Sequence, residues 1–315
     1  MLVFLKKYEI KSVFYKNKLI IDKSFFKLKR GLIMNFFERV IHSLEGTMET
    51  PTNYGWFHIM FLAIAVAATV LLCEFFKDCS DKTFRRIVLI AWITMVVLEI
   101  YKQLVFSFEY ENNTAVWDFQ WYAFPYQLCS TPLYVLPFIA FMKDSRFRDA
   151  LISYISTFSF FGGLAVYFYP NDVFISTIGI NIQTMIHHGI QVVFGIFFVV
   201  YNRRKLNHKY YVRGIPVFAA LCAVAMLLNI VVYHIFMATG CTETFNMFYI
   251  SPYFDCTLPI LSSIYPNVPY IVFALLYILG FSFVATLIYY IEMGIVRLVE
   301  RIKSKLYDKQ QKKTA

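Results

Sequence analysis

Charge is what this sequence has little of. Asp, Glu, Lys and Arg make up 16% of its 315 residues, against 59% hydrophobic and 19% aromatic, where an ordinary soluble domain carries about 25% charged residues. That shortage excludes a soluble globule. The six cysteines form no Cys-x-x-Cys pair and no Cys/His metal spacing, so neither a zinc site nor a dithiol redox motif is expected, and no cofactor is implied. There is also no Gly/Ser linker, no internal repeat and no second soluble domain. The net charge of +10 does not point to nucleic acid, because the basic residues sit in short segments between apolar runs rather than on one face. The expected partners are membrane lipids, and the oligomeric state is left open.

What the sequence does have is apolar runs of membrane-spanning length. Seven are predicted, at 56–76, 87–106, 121–142, 151–169, 178–201, 215–239 and 269–291. Each could cross a hydrocarbon core of about 30 Å as a helix, which satisfies its own backbone hydrogen bonds where water is absent. The expected fold is an all-α polytopic membrane protein, a seven-transmembrane-helix bundle in the cell membrane.

The connecting segments alternate in charge. Lys77, Lys82, Arg85 and Arg86 follow the first span, Lys143, Arg146 and Arg148 the third, and Arg203, Arg204, Lys205, Lys209 and Arg213 the fifth. The segments 107–120, 170–177 and 240–268 contain no Lys or Arg but do contain Glu109, Glu111, Asp118, Asp172, Glu243 and Asp255. By the positive-inside rule the basic segments, including the tail at 297–315, are cytoplasmic. Seven crossings then put the N-terminus outside, which conflicts with the lysines from Lys6 to Lys29. Two readings resolve this: translation starting at Met34, so that 1–33 is a misannotated extension, or a flexible or interfacial basic arm. Residues 34–55 form an outer amphipathic segment, and 56–296 the transmembrane domain. Cys241 and Cys256 share the long outer segment, where a bridge closing about 15 residues would contribute about 3 kcal/mol.

Polar groups inside a bilayer are costly and therefore informative. The second span carries Glu99 and Lys102, and the third Tyr126, Gln127, Cys129 and Ser130. The fifth carries Asn181, Gln183, His187, His188 and Gln191, and the sixth Asn229, Tyr233 and His234. At ~1.5 Å rise per residue, Glu99, Cys129, His187 and Asn229 all fall about 10 to 15 Å below the outer surface. Four helices contributing polar side chains at one depth predict a shared cavity open to the outer leaflet. Taken singly, each has a structural explanation: Cys73 and Cys222 pack, Glu99 and Lys102 neutralise each other three residues apart, and Asn229 bridges helices.

Their combination suggests chemistry. Pro125 and Pro132 interrupt the backbone ladder around Cys129. Gln183 and Gln191 lie one turn to either side of His187 and could orient its ring. A histidine so placed could take the thiol proton and generate the thiolate nucleophile. His187 and His188 point about 100° apart, and spacing alone leaves open which one faces Cys129.

At these residues the chain resembles the YwaF-like family of bacterial integral membrane proteins. The resemblance runs from Trp56 onward. It rests on the run Phe124-Pro-Tyr-Gln-Leu-Cys-Ser130, on Gly162 and Gly163 followed by Tyr169-Pro170, and on Ile186-His-His-Gly189. Phe245-Asn-Met-Phe248 with Ser251-Pro252, and Tyr265-Pro-Asn-Val-Pro-Tyr270, complete it. That family is distantly similar to eukaryotic seven-helix, cysteine-dependent acyltransferases acting on ether phospholipids, and to the androgen-induced fatty-ester hydrolases. The resemblance implies a lipid acyltransferase or hydrolase with Cys129 and His187 as the catalytic pair, or His188 in the latter's place. Tyr126, Gln127 or Asn229 would then donate hydrogen bonds to the oxyanion, with Glu99, Lys102, Gln183 and His234 as further substrate contacts. Two other readings stand beside it: a non-enzymatic module binding a small molecule or lipid headgroup in the same cavity, and a seven-helix scaffold without a ligand.

Overall fold

The computed structural model describes residues 36–111, 114–170 and 173–314. The segment at 1–33, the start at Met34 and Asp172 lie outside the described residues. The chain divides into two compact units, one made of the residues up to Gly46 with Leu104–Phe119 and one of Thr47–Gln103 with the chain from Gln120 onward.

In the smaller unit, residues 36–44 form α1. An antiparallel hairpin pairs β1 (Phe108–Glu111) with β2 (Thr114–Trp117), Phe108 opposite Trp117. The Phe108 ring meets Phe37 and Trp117 edge-on, at 5.0 and 5.2 Å. The hairpin departs from the all-α expectation. Its physical reason is local, because Thr-Ala-Val-Trp favours a strand and the Phe-Glu-Tyr-Glu alternation has period two.

The larger unit is helical. Its elements are α2 (Trp56–Phe76), α3 (Asp81–Val105), α4 (Pro132–Phe141), α5 (Arg146–Tyr154), α6 (Phe160–Phe168), α7 (Ile178–Tyr201), α8 (His208–Val212), α9 (Gly214–Thr239), α10 (Leu261–Ile264) and α11 (Tyr270–Thr314). Among the described residues, six helices are long and apolar enough to cross a membrane: α2, α3, α5 joined to α6, α7, α8 joined to α9, and α11. The joined α5–α6 helix and α7 are the most enclosed, two thirds of each apolar window being buried (67%). The helices α2, α3, α9 and α11 turn Ile64, Phe75, Ile100, Leu227 and Phe283 outward, a surface suited to acyl chains.

Expected as one span, residues 121–142 do not form one continuous helix. Trp121–Ala123 and Leu128–Ser130 are single 3-10 turns, and only α4 is α-helical. Ten residues of α-helix cover about 15 Å, half a hydrocarbon core. Pro125 and Pro132 lack the N–H groups that a continuous helix needs there. The broken segment nevertheless runs antiparallel along α3. Gln103 donates to the Ala123 carbonyl (2.9 Å), Trp92 to Leu133 (2.9 Å) and Arg85 to Ala140 (2.6 Å), so it accompanies α3 for about 27 Å.

Two further features position the site. A π-helical turn, Ile155–Ser159, joins α5 to α6 and packs on α7. At Gly163 a Cβ would come within 2.8 Å of both the His188 carbonyl and Gln191 Cβ, so glycine is what lets α6 approach α7 at this level. At one end of the bundle the basic segments are laced together: Arg148 pairs with Asp81 (2.6 Å), Lys205 with Asp144 (2.8 Å), Arg213 with Asp149 (3.0 Å), and Arg203 with both Asp78 and Glu300.

At the other end, the expected bridge between Cys241 and Cys256 is absent, and both thiols are free. Cys241 follows the left-handed Gly240 that ends α9, and its N–H is held by Phe236. Cys256 is buried, and desolvation pushes its thiol above the ordinary range.

Candidate functional site

Pro132 opens α4 without an N–H, so the Cys129 carbonyl three residues back receives no helical donor from it. Two side chains from α7 bond that carbonyl instead. His187 Nε2 lies 2.9 Å and Gln191 Nε2 3.0 Å from Cys129 O. Because a carbonyl only accepts, His187 Nε2 carries the proton, and Nδ1 of the neutral ring holds the lone pair. That Nδ1 is buried and has no hydrogen-bond partner. His187 is 3% exposed, and Cys129 is half-buried.

Gln191 does not bond the His187 ring. Its amide nitrogen is shared between Cys129 O and His187 O (3.4 Å), and its oxygen accepts from Ser159 Oγ in the π turn, also at 3.4 Å. Gln183 accepts from the Thr184 hydroxyl at 3.5 Å. His188, one position on from His187, donates Nδ1–H to Thr184 O at 2.8 Å within its own helix. Of the two adjacent histidines, His187 is the one bonded to the Cys129 segment.

The buried Glu99 pairs with the partly buried Lys102 at 2.8 Å. Gln103 donates to Glu99 Oε1 at 2.7 Å and ties the pair to the Ala123 carbonyl, while Glu99 Oε2 is buried without a partner. Lys102 lies within electrostatic range of Cys129, His187 and His188.

Gln127 and Asn229 are engaged by a loop. Asn229 Nδ2 donates to Met247 O (3.0 Å) and its Oδ1 accepts from Met247 N (2.7 Å). Gln127 makes the same two-sided contact, Nε2 to Asn246 O (3.1 Å) and Oε1 from Phe248 N (2.8 Å). Tyr277 and Tyr270 add hydroxyl donors to Phe248 O and Ile250 O. Phe248 and Tyr249 sit at φ of 59° and 55°, a left-handed conformation that costs a non-glycine residue of order 1 kcal/mol or more. Phe245, Met247, Phe248, Ile250 and Ser251 are all buried, so this loop is an inserted wall of the bundle. Phe248 stands 5.8 Å from the Tyr126 ring, whose hydroxyl makes a long 3.4 Å bond to Leu221 O.

Two polar residues lie apart from this group. His58 accepts from Tyr54 N and donates to Tyr167 O, which satisfies both ring nitrogens. His234 is exposed and meets Tyr253, which stacks on Tyr233 at 3.7 Å. Sequence reasoning gave no role to Asn246 or Ser159. Asn246 holds Ser251 N and Asp255 O, and its one signal was a lone amide inside an aromatic run. Among the described residues, no group of three or more His, Cys, Asp or Glu could hold a metal ion.

The sequence model of the TMEM164 family matches residues 53–293. No curated protein and no solved structure matches the chain.

Proposed function

The chain belongs to the TMEM164 family of membrane proteins, and from that premise we propose that it is a membrane-embedded lipid acyltransferase with Cys129 as nucleophile and His187 as proton carrier. One observation carries the reading. His187 is fixed to the Cys129 segment through Nε2, and its Nδ1 is buried without a partner.

In the proposed cycle the Cys129 thiol, which is not bonded to Nδ1 in the resting structure, turns to give its proton to His187 Nδ1, and the thiolate adds to an ester carbonyl of a lipid. The C–S bond forms, the ester C–O bond breaks, and Nδ1–H protonates the departing alcohol. An acceptor hydroxyl then gives its proton to Nδ1 and attacks the thioester, and the proton returns to sulfur. With water as acceptor the same steps give hydrolysis. Gln127 and Asn229 each bond the loop through one amide hydrogen and carry a second. The Tyr126 hydroxyl, held only by a long bond, is the donor most easily redirected to an oxyanion.

The same proposal includes seven crossings of the cell membrane, N-terminus outside, with residues 121–142 as a broken span. It is supported by the ties of that segment to Arg85, Trp92 and Gln103 and by the collection of basic segments at one end.

A second reading, a binding module without chemistry, is favoured by Glu99 Oε2, a buried acceptor without a partner beside Lys102. Incubation with phospholipids followed by turnover measurement separates the two. Cys129→Ser abolishes acyl transfer in the enzyme, whereas in a binding module ligand retention survives that change and no turnover exists to lose.

A further inference from the structure

Along its outward side α11 changes from apolar to basic. Ala285, Tyr289 and Met293 turn into the bundle, while Leu287, Ile291 and Leu298, on the opposite side, are 47%, 60% and 57% exposed. At about 100° per residue, Arg301 and Lys305 continue that exposed side and Arg297 borders it. All three are exposed, and among the described residues none of them belongs to an ion pair. An open groove beside them is lined by Arg297, Glu300, Arg301, Ser304 and Lys305.

Two ion pairs fix the level of this stripe. Lys303 meets Glu74 in the last turn of α2 (3.5 Å), and Glu300 meets Arg203 just past the end of α7 (3.2 Å). Both α2 and α7 are membrane-length helices that end here, so residues 297–305 stand level with the headgroups of the adjacent leaflet. The charge is positive with every neighbouring carboxylate counted. Glu74, Asp78 and Glu300 are answered by Lys77, Lys303, Arg203 and Arg204, which leaves Arg297, Arg301 and Lys305 in excess. Further along, the sequence sets Asp308 against Lys309, Lys312 and Lys313. Three like charges on one stripe repel a second copy of that stripe, whereas clustered Lys and Arg just past a membrane helix attract anionic lipid. Guanidinium forks match phosphate oxygens, and the exposed Leu298 and Ile302 suit the first acyl carbons below them.

We infer that Arg297, Arg301 and Lys305 form a docking stripe for the headgroup of an anionic phospholipid in the leaflet at the basic end of the bundle. The inference rests on the helices crossing a membrane and not on any chemistry at Cys129.

The test uses the full chain in neutral detergent, with two triple variants of equal charge change. One is Arg297→Gln with Arg301→Gln and Lys305→Gln. The other, Lys82→Gln with Arg86→Gln and Lys143→Gln, removes three exposed cations of the same end that are also outside any ion pair among the described residues. Both should elute on gel filtration and melt as the wild type does, because none of the six side chains is buried or paired. Native mass spectrometry with phosphatidylglycerol titrated against phosphatidylcholine reads retention. Each cation near the surface is worth about fivefold, so the stripe variant should hold phosphatidylglycerol about 10²-fold more weakly than the wild type. The control variant should hold it within a few-fold of the wild type. The inference is overturned if the stripe variant retains phosphatidylglycerol as the wild type does, or if the control loses as much, since retention would then follow total charge. It is also overturned if phosphatidylcholine is held as tightly as phosphatidylglycerol, or if the stripe variant alone converts a dimer to a monomer, which would make the occupant a second copy.

Discussion

A carbonyl buried in a membrane interior has to find a donor, and leaving one unsatisfied costs about 1–3 kcal/mol. At Cys129 two donors come from α7, His187 and Gln191, and the His187 contact fixes that ring, its tautomer and its position together. His187→Ala should therefore lower acyl transfer by about 10²- to 10⁴-fold, the usual worth of a positioned acid–base group. His188→Ala, which removes a bond inside one turn of α7, should cost markedly less. Initial rates of lipid acyl transfer by the two variants check this, and equal losses would contradict the assignment. The polar positions were legible in the sequence because charged and amide groups in apolar runs stand out. Their partners were not. His187 meets a main-chain carbonyl, and Gln127 and Asn229 meet the backbone of residues 246–248, groups that every residue carries and no pattern of side chains reveals.

Between elements, the tightest approach is α6 on α7. Gly163→Ala should destabilise the protein by about 1–3 kcal/mol through overpacking, since its Cβ would meet the His188 carbonyl and Gln191 at 2.8 Å. Gly162→Ala, whose nearest neighbours stand at 3.7 and 3.8 Å, should be close to neutral. Thermal melts of the two purified variants decide it, and equal melting temperatures would refute the packing argument. Hydropathy marked six of the spans because length and apolarity are written directly in composition. The prolines at 125 and 132 announced a break in the remaining one, but not that it would still track α3 for its length. The inserted loop at 245–251 was illegible as structure, because burial of Phe245-Asn-Met-Phe248 depends on the clamps from Gln127, Asn229 and Tyr277.

In the larger unit the basic segments gather at one end and are tied there by ion pairs. At that end the Arg203 guanidinium holds the Asp78 carboxyl below its ordinary value. A carboxyl depressed in the folded state contributes stability above its unfolded value of about 3.9, and that contribution disappears as pH falls through the folded value. Asp78→Asn should lower the melting temperature slightly at pH 7 and leave it unchanged below that range, as melts across pH would show; an equal difference at every pH would contradict the pairing. Sidedness is tested by a membrane-impermeant maleimide on intact cells. Cys241 should react and Cys79, beside the basic segment, should not; the reverse pattern would invert the proposed topology.

The central claim is that sulfur at residue 129 carries an acyl chain during turnover. Intact-protein mass spectrometry after incubation with phospholipid tests it most directly, with Cys129→Ser alongside. The account predicts a mass gain of one acyl chain that maps to Cys129, is missing from the variant and is discharged by a lysolipid acceptor. An adduct of equal yield on the Cys129→Ser protein, or acyl transfer undiminished in that variant, would contradict it.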